Sequence, residues 1–355
     1  MNQLFSKKKK KKNTIMMEPK VSQPLEPYPA PFKPINGEIV YSQEFIDLLS
    51  TLPKEKDSFG VDIYQYNGFW WPEVAVHCMI ESLNYFQPRK NDVFLATAPK
   101  SGTTWLKAIV YTLLNRQVHH PQDPHHPLLT TNPHQLVPFL ELLEHSEYET
   151  LSNSSESSTR IFGSHLPAAS LPKSVTEENE SFNCKIVYLC RDIKDTFVSF
   201  FHFVIKHVDP SSTSLEKVFD LYSRGLNGAG PVWDQIMGYW KESLERPDKV
   251  LFIKYEDMKR EPRIQARRLA LFLGKPLSEE EENSGMLDQI ISLCSFDHMK
   301  NLEVSKSGTT RHGIKNNTFY RSGQVGDWKN YLTAGMAAKL DHITREKFRG
   351  SGLSL

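Results

Sequence analysis

Lys100, Ser101, Gly102, Thr103 and Thr104 follow one another, and their types suit them to hold an anion. Lys100 brings a full positive charge. Thr103 and Thr104 bring hydroxyl donors, and Gly102 lets the backbone approach a bound oxygen closely. Before them, Val93, Phe94 and Leu95 read as a buried strand that Pro99 breaks. After them, Trp105, Leu106, Ile109, Val110 and Leu113 recur at helical spacing. In such a strand–loop–helix unit the N–H groups of the first helical turn point toward bound phosphate, and the helix dipole adds to the attraction. This is not a Walker loop, which needs Gly directly before Lys and Ser or Thr after it. Here Lys100 precedes Gly102, and the loop is too short to wrap a triphosphate. The expected ligand is a nucleotide with a shorter phosphate chain.

Three further positions suit transfer of a charged group. Arg191 follows the strand candidate Lys185–Cys190, where ligands of open α/β sheets bind, and a guanidinium donates bidentately to phosphate. Ser199 falls one or two turns into the next helix. Taken alone, Arg191 fits a surface ion pair with Asp192 or Asp195 equally well. The chain has 13 histidines, so a histidine by itself means little. His165 stands out because it ends an apolar run and precedes Leu166 and Pro167. An imidazole of ordinary pKa, ~6.5, is available in its neutral form as a general base. The cluster His119, His120, His125 and His126 lacks helical spacing and has only Asp123 as a nearby acidic ligand, so it reads as a polar loop and not a metal site.

Three segments carry a resemblance to a known family. Pro99 to Trp105 resembles the 5′-phosphosulfate loop of the cytosolic sulfotransferases, which use 3′-phosphoadenosine 5′-phosphosulfate (PAPS). Tyr188 to Ser199 resembles their 3′-phosphate-binding strand and helix. Arg321 to Lys329 resembles their C-terminal R-x-G-x-x-G-D-W-K signature. The segments stand in family order, and the likeness runs from about Ser42 to the C-terminus. Gly68 to Trp71, Asn132-Pro-His134 and Leu293 to Phe296 look closest to plant members of the flavonoid or hydroxyjasmonate type. The resemblance implies that Lys100, Ser101, Gly102, Thr103 and Thr104 surround the phosphosulfate. It implies that Trp105 stacks on the adenine, which Tyr255 and Phe296 also meet. Arg191, Ser199, Arg321, Ser322 and Gly323 would hold the 3′-phosphate. His165 would be the general base, Lys100 would stabilise the leaving group, and Ser199 would hold Lys100 aside until acceptor binds. PAPS would then be the co-substrate, with PAP as product and no metal required. Two positions depart from the pattern. Gly163 stands where many animal relatives have lysine, and Ser322 where lysine is usual, so some charge at the transition state and the 3′-phosphate is expected to be missing. The dimer motif of animal relatives is poorly matched after Trp328, so a monomer is expected.

These residues need a fold that brings them together. Apolar runs alternating with helical periodicity point to a single α/β domain with a central parallel sheet and a P-loop-like phosphosulfate loop, over 38–355. The clearest strands are Val93–Thr97, Lys185–Cys190 and Val250–Lys254. Leu151–Thr159 and Ser305–Asn317 read as loops, and the acidic run Glu279–Glu282 as a helix start. Residues 1–37, with the Lys7–Lys12 run and many prolines, read as a disordered tail, and Met16 and Met17 offer a second possible start. Lys+Arg number 43 against 42 Asp+Glu, net +1, so the overall balance does not point to nucleic acid. Four cysteines without a C-x-x-C pair fit reduced thiols in the cytosol. Neither a membrane span nor a secretory signal is expected, and a cytoplasmic enzyme is. Its acceptor would be a small organic alcohol or phenol in an apolar pocket walled by Phe69, Trp70, Trp71, Phe139 and Tyr320. Competing readings are a small-molecule kinase, a PAPS- or PAP-binding protein that has lost activity, and nucleic-acid binding confined to the lysine tail.

Overall fold

The computed structural model describes residues 41–143, 145–153, 159–176 and 183–355. The expected tail over 1–37, with its lysine run, lies outside the described residues.

The three strands read from the sequence form with the expected bounds, and a fourth joins them. β4 (Val93–Thr97), β5 (Ile161–Ser164), β6 (Lys185–Cys190) and β7 (Val250–Lys254) make a four-stranded sheet in the order β5-β4-β6-β7. Every pairing is parallel: Val93 lies beside Ile161 and Lys185, and Cys190 beside Lys254. Parallel sheets are covered on both faces, so their strands are apolar throughout; all five residues of β4 are buried. Alternate residues serve opposite layers. Phe94, Ile186, Tyr188 and Phe252 pack under helices Ile193–Val204 and Val232–Glu245, together with Phe197, Trp233, Ile236 and Tyr239. Val93, Leu95, Val187, Leu189 and Ile253 pack under helix Thr103–Asn115 through Leu106, Ile109 and Leu113.

Ahead of this sheet, β1 (Lys54–Lys56), β2 (Asp62–Tyr66) and β3 (Phe69–Pro72) form an antiparallel sheet. Helix Glu279–Asn283 begins with the Ser278–Glu281 capping box, which accounts for the acidic run as a helix start. The Ser-rich loop differs from expectation at its beginning, because Leu151 to Asn153 complete helix His145–Asn153. All four cysteines are free thiols. His120 and His126 accept backbone N–H groups of the turns they begin.

The amino ends of β4 and β5 are tied by a buried ion pair. Arg160 Nε donates to Asp92 Oδ1 at 2.9 Å, and its Nη2 to Asp92 Oδ2 at 2.5 Å and the Gln87 carbonyl at 2.9 Å. Removing one partner of such a pair strands the other charge away from water. Arg160→Met is therefore expected to lower the unfolding free energy by about 3–5 kcal/mol. Urea unfolding checks this, and the double variant Asp92→Asn/Arg160→Met should recover part of the loss.

Candidate active site

Parallel register sets the site. The carboxyl ends of four adjacent strands lie side by side, and each releases a residue singled out in the sequence: Lys100 after β4, His165 after β5, Arg191 after β6 and Tyr255 after β7. All four line one cavity of about 410 Å³, with Gly102, Thr103, Thr104, Trp105, Ser199, Phe296, Arg321, Ser322 and Gly323. Ser101 is buried beneath the loop and donates its N–H to the Ala98 carbonyl.

The loop turns sharply. Lys100 has φ 71° and Gly102 φ 107°, and Gly102 is the N-cap of helix Thr103–Asn115. Glycine is required at 102 for space as well as dihedral, since a Cβ there would lie 2.8 Å from Cδ2 of Tyr255. No side chain caps this helix, which leaves its first N–H groups for a ligand. The Thr103 hydroxyl is 2.7 Å from that of Thr97, and the Thr104 hydroxyl is 2.9 Å from His134 Nε2.

Cations converge on the cavity. Lys100 has its pKa lowered to about 7, by burial and then by Lys206, Arg321 and Arg191. Its Nζ sits 4.2 Å from the ring centroid of Phe203 and 5.7 Å from that of Phe319. Ring faces hold the ammonium here, and no hydrogen bond joins it to Ser199. The Arg191–Asp195 pair allowed by the sequence forms, at 3.8 Å. It leaves Arg191 undersatisfied, because Asp195 is already engaged by the N–H groups of Gly326 at 2.7 Å and Trp328 at 2.9 Å. Arg191 Nη2 donates to the Gln324 carbonyl at 2.7 Å, and Arg321 pairs with Asp327 at 2.6 Å. Nε of both arginines is buried with no hydrogen-bond partner among the described residues.

Aromatic rings flank these cations. Trp105 and Tyr255 meet edge to face at 5.4 Å, and the Arg191 guanidinium lies 4.5 Å from the Tyr255 ring centroid. The Tyr255 hydroxyl donates to the Gly323 carbonyl at 2.9 Å. Gly323, at φ 66°, lies so close to Phe296 that a Cβ would come within 2.7 Å of its ring.

His165 is held at both ends. Its Nδ1 is 2.8 Å from the Thr97 carbonyl oxygen, which can only accept, so Nδ1 carries the hydrogen and Nε2 keeps its lone pair. Its backbone N–H donates to Glu141 Oε1 at 2.6 Å. Burial first, and then Lys107 and Lys100, lower the imidazole pKa to about 4, against the Thr97 bond that raises it.

The acceptor walls correct the sequence reading in part. Trp71, Phe139 and Tyr320 line the cavity, joined by Phe59, Phe200 and Phe203. Phe69 and Trp70 do not: Phe69 is in the core beneath the sheet, and Trp70 packs on Ile63 and Leu226. Pleat alternation puts Trp70 on the face opposite Phe69 and Trp71, as observed, but gave no way to choose between Phe69 and Trp71. Sequence reasoning also missed Lys206, Glu141 and Lys107. Only Lys107 left a signal, as a charged residue within the apolar face of the loop helix.

Residues 90–352 match the model of the sulfotransferase domain family. This chain belongs to that family. It is 44% identical to cytosolic sulfotransferase 6 of Arabidopsis thaliana over 317 residues, 88% of this chain and 95% of the relative. Among solved structures, a putative steroid sulphotransferase from Arabidopsis thaliana is 37% identical with a TM-score of 0.67, covering 87% of this chain and 94% of that one. A mouse sulfotransferase complexed with PAP is 28% identical with a TM-score of 0.65, covering 81% of this chain and 95% of that one. Lys100, His165 and Arg191 leave the ends of the neighbouring strands β4, β5 and β6 and line one cavity with Lys206 and Arg321. No helix among the described residues is long and apolar enough to cross a membrane.

A histidine held neutral by burial keeps its base form as pH falls through the usual imidazole range. The His165 Cε1–H resonance of the free protein is therefore expected to titrate near pH 4. NMR comparison with His165→Ala identifies the signal. A midpoint at ~6.5 would contradict this account.

Proposed function

We propose that this sulfotransferase moves a sulfuryl group from PAPS to a hydroxyl of a small organic acceptor in the cytoplasm, acting as a monomer. The observation that carries the reading is the cluster of Lys100, Arg191, Lys206 and Arg321 on one cavity, with two buried guanidinium Nε groups that have no partner among the described residues. A donor with phosphate at one end and phosphosulfate at the other supplies the missing acceptors. Trp105, Tyr255 and Phe296 offer ring faces and edges between them for an adenine.

Transfer is an in-line displacement. Nε2 of His165 takes the acceptor's hydroxyl proton, and the oxygen forms a bond to sulfur. The bond from sulfur to the bridging oxygen breaks, and that electron pair leaves with the phosphate as PAP. The Lys100 ammonium meets the charge developing on the bridging oxygen. Its pKa near 7 belongs to the free protein, where burial and then the neighbouring cations lower it; a bound anion favours the charged form. Arg191, Ser199, Arg321, Ser322 and Gly323 hold the 3′-phosphate, while Gly102, Thr103 and Thr104 hold the phosphosulfate; Ser101, expected from the sequence to join them, is buried away from the cavity and shapes the turn. The charges come from side chains and the helix N-terminus, with no metal in the scheme. Phe59, Trp71, Phe139 and Phe203 suit a flat or lipid-like acceptor such as a flavonoid, hydroxyjasmonate or steroid.

A second reading, a PAP-binding protein with impaired catalysis, rests on Ser322 in place of the usual cation. One assay separates the two. Wild type should transfer labelled sulfate from PAPS to members of a phenol, steroid and hydroxy-acid panel. His165→Ala should lose about 10²–10⁴-fold in rate while keeping PAP affinity. PAP binding without transfer to any acceptor favours the second reading, and transfer from ATP with magnesium would favour a kinase.

A further inference from the structure

Lys107 is fully buried on the loop helix, one turn beyond Thr103 and Thr104. Its Nζ donates to the Val137 carbonyl at 2.8 Å, lies 3.3 Å from His134 Nδ1, and sits 3.3 Å from the ring centroid of Phe139. The other nitrogen of His134 is 2.9 Å from the Thr104 hydroxyl. A continuous path of polar atoms therefore runs from Lys107 through His134 to the anion loop. Gly163, on β5, leaves room for it. A Cβ there would lie 2.4 Å from Cε and 2.5 Å from Nζ of Lys107.

The hydrogens on this path can run in only two directions. His134 is kept neutral by burial, aided by Lys107, His165 and Lys100, so one ring nitrogen donates and the other accepts. In the first direction Lys107 donates to Nδ1, Nε2–H donates to the Thr104 oxygen, and the Thr104 hydrogen is left for the ligand. An amine or an ammonium serves equally well. In the second, Thr104 spends its hydrogen on Nε2, Nδ1–H donates to a neutral amine, and Thr104 turns lone pairs toward the loop. An anion repels those lone pairs and selects the first direction.

We propose that Lys107 and His134 are positioning residues that turn the hydroxyl hydrogen of Thr104 toward the anionic group in the loop, and that Gly163 is needed to make room for them. Lys107 lies behind the cavity lining, His134 is part of it, and in this proposal both act through Thr104. Their effect is a charge-assisted hydrogen bond delivered at the first turn of the helix.

The inference rests on the sulfotransferase reading, and the test separates the two. Rates with PAPS would be measured for wild type, Lys107→Met, Thr104→Val and the double variant, with PAP binding by calorimetry to count folded sites. Each single variant is expected to lower kcat/KM for PAPS by about 10- to 100-fold, the loss of one charge-assisted hydrogen bond. The double variant should be no worse than the more damaged single one, because both remove the same interaction. His134→Gln, whose amide N–H can stand in for Nε2–H, should stay within about threefold of wild type, and His134→Phe should fall with Lys107→Met. If Lys107→Met fails to fold, Gly163→Ala provides the second route. It keeps every polar group, displaces the end of Lys107, and should show the same loss and the same failure to add to Thr104→Val. Additive effects, or a His134→Gln variant as impaired as His134→Phe, overturn the relay while wild-type transfer stands. Absence of transfer by wild type overturns the functional reading, and the relay with it.

Discussion

Lys100, Arg191, Lys206 and Arg321 face one cavity, and among the described residues only Arg321, paired with Asp327 at 2.6 Å, has a close carboxylate partner. Asp195 spends its oxygens on the backbone N–H groups of Gly326 and Trp328, which ties the C-terminal signature segment to the first turn of helix Ile193–Val204. Arg191 is thereby left with a long contact to Asp195 and a carbonyl partner from Gln324. Like charges crowded in a partly buried site raise the free energy of the protein without ligand. The same crowding makes the site complementary to a polyanion. Burial first, and then Lys206, Arg321 and Arg191, lower the Lys100 pKa, and the Nε groups of Arg191 and Arg321 are buried without a hydrogen-bond partner among the described residues.

The rest of the fold holds that imbalance in place. Parallel pairing brings the carboxyl ends of β5, β4, β6 and β7 level, so His165, Lys100, Arg191 and Tyr255 come to the cavity from neighbouring strands. The Asp92–Arg160 pair ties the opposite ends of β4 and β5. Glycine permits the closest approaches: Gly102 against Tyr255, Gly323 against Phe296, and Gly163 against Lys107. Gly163 also changes the meaning of a departure seen in the sequence. Missing charge was expected there, and the space holds the end of a lysine from another element.

The three strands were legible because each is a short run of buried apolar residues, and the anion loop because strand, glycine and helix are contiguous in the chain. His165 and Arg191 were legible as residues that end strands. What escaped was tertiary. Lys107 reaches Val137 and His134, 30 and 27 residues away in the chain, and no local pattern reports such contacts. Glu141 holds the backbone of His165 across 24 residues. The aromatic run Phe69 to Trp71 was read as a wall, but only Trp71 reaches the cavity, because the packing of β3 decides which ring faces inward. Helix His145–Asn153 extended into the Ser-rich segment because low helix propensity in a single turn is easily overridden by what precedes it.

The cations lining the cavity suit a ligand with phosphates at both the 3′ and 5′ positions, as proposed above. A ligand that binds only the folded state raises the unfolding temperature with its concentration. Thermal unfolding of wild type against increasing PAP, with AMP and ADP as controls, tests the claim most directly. The account predicts a large, saturating rise with PAP and a much smaller one with AMP or ADP, which lack the 3′-phosphate for Arg191 and Arg321. Equal shifts with all three nucleotides, or none with PAP, would contradict it.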